Sequence, residues 1–131
     1  MNSPMEYQFT KHYTLAEARA LLPQIRQWLD QLEKLHHQMR KDEQILQPIV
    51  AGGSDAGGKV VERWIRTIAN LRVIVAEFEA REIQIKDVER GLLDFPAIIG
   101  DREVFLCWEK DEEDIEHWHD LDSGYAGRER L

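Results

Sequence analysis

From residue 14 onward, apolar residues recur at spacings of three and four. Leu21, Ile25, Trp28, Leu32, Leu35 and Met39 form one stripe, widened by Leu22 and Leu29. That period is the signature of an amphipathic helix. Thr14 followed by Glu17 makes a capping-box pair, so the helix is expected to start there and to cover 14–47. Pro23 lies off the stripe, and its missing N–H and its ring predict a bend rather than a stop. A second stripe, Val61, Trp64, Ile68, Leu71, Val75 and Phe78, predicts a helix over 59–81. Between the two, "AGGSDAGGK" predicts a flexible Gly-rich linker over 51–58. Two such helices predict a long antiparallel hairpin of coiled-coil type. Each stripe is wider than a two-helix contact covers, so self-association, as a dimer, is expected.

The helical period ends near residue 80. Ile83 and Ile85 alternate, Gly91 marks a turn, and Pro96 cannot sit inside a helix. "FPAII" and "EVFLCW" are strand-like, and "GDR" between them predicts a tight β-hairpin turn. Asp111 is placed to cap a short final helix through Trp118, with Ile115 and Trp118 on one face. The tail "DSGYAGRERL" is too glycine-rich to continue it. The expected fold is therefore α+β, mainly α: one domain over 1–131, with the helical hairpin followed over 82–131 by a small β-hairpin, a short helix and a tail.

Composition narrows the partners. The chain has 131 residues and a formal net charge of −8, with no basic stripe, so nucleic acid is not an expected partner. No apolar run approaches the length of a membrane span or a signal peptide, so no membrane partner is expected. Cys107 is the single cysteine, which fits a reducing compartment, and a cytoplasmic location is expected.

Chemistry concentrates in the C-terminal third. "GSDAGGKV" matches a phosphate-loop pattern but ends in Val60 where a Ser or Thr should bind Mg²⁺, and it follows a helix, so it reads as a linker. In "HWHD", His117 and His119 would share a face on a strand but point about 200° apart on a helix. Glu116 and His119 form one Glu-x-x-His pair of the kind that di-iron bundles use, but a complete site would need further carboxylates. His12, His36 and His37 read as surface or boundary residues. Cys107, between Leu106 and Trp108, reads as an inert buried thiol. Arg128 and Arg130 could clamp an anion or pair with the acidic run.

The stretches "YTLAEARALLP", "KDVERGLLDFPAIIGDREVFLCW" and "IEHWHDLDSGYAGRERL" together resemble the small, mainly bacterial family known as domain of unknown function 2203. The family pattern falls on Lys86, Asp87, Gly91, Asp94, Phe95, Pro96, Cys107, Trp108, Glu112, Trp118, His119, Gly124 and Arg128. The chain departs from it at Glu82 and Asp111, where glycine is usual, and at His117, where an aromatic residue is common. The resemblance implies no activity, substrate or cofactor. It favours a polar site that gathers Asp87, Asp94, His119 and Arg128 from separate segments, with His119 and Asp94 as ligands if a divalent metal is held. Glu112 reads instead as a charge at the start of the final helix, favoured by its dipole. Two functions follow: a small ligand- or metal-binding module, or a helical-hairpin interaction protein whose C-terminal motif is purely structural.

Overall fold

The computed structural model describes residues 6–52 and 58–131. The first helix, α1 (Leu15–Ala51), opens on the expected capping box. Glu17 N donates to Thr14 Oγ1 at 3.1 Å, and Thr14 N donates to Glu17 Oε1 at 3.0 Å. It continues through Pro23 as helix. The second helix, α2 (Gly58–Ala80), begins at Gly58, so the last three residues of the phosphate-loop pattern are helical. The rest of that pattern, 53–57, lies outside the described residues. No helix among the described residues is long and apolar enough to cross a membrane.

The chain divides into two compact units, Gln27–Glu77 and Met1–Arg26 with Phe78–Leu131. In the first, Leu29, Leu32, Thr67 and Ile74 are buried, while Trp28, Trp64, Ile68, Leu71 and Val75 are half-buried. On α1 the buried Leu29 and Leu32 belong to the expected stripe, whereas on α2 the buried Thr67 and Ile74 lie beside it, each one position before a stripe residue. Asp42 is fully buried and is held by Arg63 Nη2 at 2.5 Å and Gln38 Nε2 at 3.0 Å. The Arg63 guanidinium holds the Asp42 carboxyl below the usual carboxylate range. This pair crosses from α1 to α2.

The second unit carries a five-stranded antiparallel meander in chain order: β1 (Gln84–Asp87), β2 (Leu92–Ile99), β3 (Arg102–Trp108), β4 (His117–Asp120) and β5 (Glu129–Arg130). The expected tight turn is Gly100–Asp101, both at positive φ (52° and 64°), closed by the Ile99–Arg102 pair. Two left-handed residues match a hairpin's twist, and glycine and aspartate tolerate that region best. Glu82, where the family pattern has glycine, sits at φ 57° just beyond α2. Its carboxylate accepts from the backbone N–H groups of Thr10 and Lys11, contacts that glycine could not make.

The expected final helix does not form. Residues 111–116 form no helix or strand, and "HWHD" is β4. His117 and His119 alternate to one face, and the open edge of β3 offers backbone partners to the whole of β4. The tail also departs from expectation: it forms one 3₁₀ turn, Tyr125–Gly127, and then β5 pairs with β4.

Cross-strand register sorts the sheet into two faces. Leu93, Phe95 and Ala97 share one face with Val104, Leu106 and Trp108, and all six are buried. Tyr13 packs edge-on to Phe95 there, and Arg26 lies 5.0 Å over Trp108. Asp94, Phe105, Cys107, His117 and His119 take the opposite face.

Candidate metal centre

Asp94 on β2 pairs directly with Cys107 on β3, and Cys107 pairs with His117 on β4. His119, two residues further along β4, reaches back so that its Nε2 lies 3.0 Å from Asp94 Oδ1. One ligand atom each from Asp94, Cys107 and His119 lies within 4.8 Å of the other two. All three residues are buried, with 2%, 0% and 2% of their surface exposed.

Hydrogen bonding fixes the imidazole. His119 Nδ1 lies 2.7 Å from the Asp120 carbonyl oxygen, which can only accept, so Nδ1 carries a proton and donates it. Nε2 therefore faces Asp94, with a single proton shared between the two atoms or displaced by a cation. A histidine that donates one ring N–H to a backbone carbonyl and presents the other nitrogen inward is arranged as metal-binding histidines are.

Burial pushes the Cys107 thiol up to about 12, and the neighbouring Asp94 charge adds to the effect. A hydrogen bond from Arg128 acts in the opposite direction. Arg128 also donates to Glu112 Oε1 at 3.1 Å and stacks 4.3 Å from the Tyr125 ring centroid. Both nitrogens of His119 are engaged, so it presents no free base to Sγ. At neutral pH the unliganded thiol stays protonated.

Of the side chains singled out in the sequence, Asp94 and His119 bond each other, and Arg128 reaches the cluster through Cys107. Asp87 is not part of the converging group: its Oδ1 accepts from Arg90 N at 3.0 Å, closing the turn after β1. Glu112 has no helix to begin; it sits in the turn after β3 and anchors Arg128. The Glu116–His119 pair is undone by strand geometry, which sends residues three apart to opposite faces. His12 binds Glu103 Oε2 at 2.6 Å, near the N-terminal segment. Sequence reasoning did not place Cys107 beside Asp94 and His119. The signal was present, because Asp94 and Cys107 lie equally far from the Gly100–Asp101 turn on either arm.

The raised thiol has a consequence for stability. Cys107 is raised from its ordinary 9.0, and burial raises Tyr13 from 10.0, so the unfolded chain loses these protons first. Their contribution is intact below about pH 9 and is lost as pH climbs toward 12. Urea midpoints should fall steadily across that window, and Cys107→Ala should flatten the fall. An identical slope in the variant would remove Cys107 from the account.

No curated protein and no solved structure matches the chain. Over residues 11–131 it matches the family described as an uncharacterized conserved protein, DUF2203, and the chain belongs to that family.

Proposed function

We propose that this protein is a small cytoplasmic metal-binding module whose ion is held by Asp94, Cys107 and His119. The observation that carries the reading is the commitment of His119 Nδ1 to the Asp120 carbonyl, which leaves Nε2 facing Asp94 beside a buried sulfur. A nitrogen, a sulfur and a carboxylate oxygen make a donor set suited to Zn²⁺. Donor atoms in a tetrahedral zinc site stand about 3.3–3.6 Å apart, so this cluster needs only small adjustments. Charges also balance: Zn²⁺ offsets a thiolate and a carboxylate, while Arg128 pairs with Glu112. Arg128, which reaches Cys107, is the side chain from which a small ligand near the centre would draw recognition.

Elemental analysis of the purified protein should find about one zinc per chain. Titration of stripped protein with Zn²⁺ should shift the His119 ring resonances. No metal and no shift would leave the His119–Asp94 pair as a purely structural bond.

A second reading rests on the helices. A groove of about 510 Å³ is lined by Leu46, Ala51, Val61 and Trp64 with Glu43 and Gln47. Ile65 and Val73 are 56% and 65% exposed on α2. Such apolar surface supports an antiparallel helical hairpin that pairs with a second copy, with the Asp42–Arg63 pair joining α1 to α2. Light scattering on the same sample reads this out: a strict monomer at micromolar concentration would end it.

A further inference from the structure

We infer that His117 is the fourth ligand of this centre, closing an Asp94–Cys107–His117–His119 site around a tetrahedral Zn²⁺. The inference rests on the metal-binding reading above and adds the residue that decides what kind of site it is.

Three observations carry it. His117 is the direct cross-strand partner of Cys107, so both side chains leave the sheet on the same face and their Cβ atoms are about 5 Å apart. Strand geometry also puts His117 and His119, two apart, on that face, a juxtaposition that a helix would have prevented. Finally, His117 Nδ1 is buried without a hydrogen-bond partner, and it is the only such side-chain nitrogen or oxygen among the described residues. Glu112 Oε2 lies 3.4 Å away but is not aligned to bond it. An orphaned buried ring nitrogen has a cost that a ligand would remove.

The His117 ring is not one of the three groups that already converge. Closing the fourth position is therefore a side-chain rotation on a backbone already in register. The Arg128 contact to Cys107 then becomes a hydrogen bond to a metal thiolate, of the kind that tunes such sulfurs. Binding releases the Cys107 proton and the one shared by Nε2 and Oδ1 to solvent, while Zn²⁺ takes their places without a change of oxidation state. Four protein donors leave no open position for substrate, so the site would be structural, tying β2, β3 and β4 together.

Cobalt substitution tests this on the whole chain. Co²⁺ bound to the wild-type protein should give a thiolate-to-cobalt band in the near ultraviolet and the intense visible bands of four-coordination. His117→Phe keeps the ring volume; it should retain the near-ultraviolet band, lose most of the visible intensity, and bind Zn²⁺ at least ~100-fold more weakly. His117→Gln should behave alike, and far-ultraviolet circular dichroism establishes that both variants are folded. Folded variants with wild-type visible bands and zinc affinity would overturn His117 as a ligand while leaving the three-residue centre standing. A wild-type protein that gives no thiolate-to-cobalt band overturns the centre itself, and His117 with it.

Discussion

His119→Ala should be among the most destabilising single substitutions in this chain, costing about 3–5 kcal/mol with no metal added. The imidazole is 2% exposed and bonds the Asp94 carboxyl, which is also 2% exposed. Truncation leaves that carboxyl buried beside Cys107 without its main partner, and it removes one of the donors to the Asp120 carbonyl, which keeps Ser123 N. For a chain of this length the loss is roughly 10–20 °C in Tm. Asp94→Asn provides the control, since its amide can still donate to Nε2 while the charge and the better ligand atom are gone. It should cost less in stability and nearly as much in zinc affinity. Thermal unfolding of both variants, with and without Zn²⁺, separates the two effects. A His119→Ala protein that melts with the wild type would show that the pair holds nothing together.

Trp108→Ala should cost a similar amount, about 3–5 kcal/mol, for a different reason. Trp108 is fully buried on the apolar face at the end of β3, and its Nε1 donates to the Glu112 carbonyl at 3.0 Å. Arg26 covers the ring and donates to the carbonyls of Lys110 and Glu112 at 2.8 and 2.9 Å. The indole therefore fills core volume and also shapes the turn that positions Glu112 against Arg128. Trp108→Phe keeps most of the volume and loses the hydrogen bond, so it should cost less than the alanine variant. Chemical denaturation ranks the pair. Equal losses would assign the whole effect to the hydrogen bond and none to packing.

Much of the scaffold was legible locally. The capping box of Thr14 and Glu17, the extent of both helices and the Gly100–Asp101 turn all depend on residues within a few positions of one another. Helix period and turn chemistry report such relations directly. The same locality explains the failure at 111–118. Ile115 and Trp118 fit a helical face, while Ile115, His117 and His119 fit strand alternation equally well. Eight residues cannot choose between them.

The choice was made by β3, whose free edge supplies a backbone partner for each residue of β4, and by the tail, which adds β5 on the far side. Asp87 and Asp94 show the same division for the site. Both are acidic and lie near a turn, yet only Asp94 stands opposite Cys107. Cys107 read as inert from its apolar chain neighbours, and its burial and raised thiol agree. Those neighbours point to the other face of the sheet, so only register shows that Asp94 stands beside it. The sequence by itself determined where the helices run, where the hairpin turns, and that polar residues gather in the last third. Only the tertiary structure decided that Asp94, Cys107 and His119 meet with His117 beside them. Their convergence is a matter of strand register across three chain segments, and register is set by pairing partners far away in sequence.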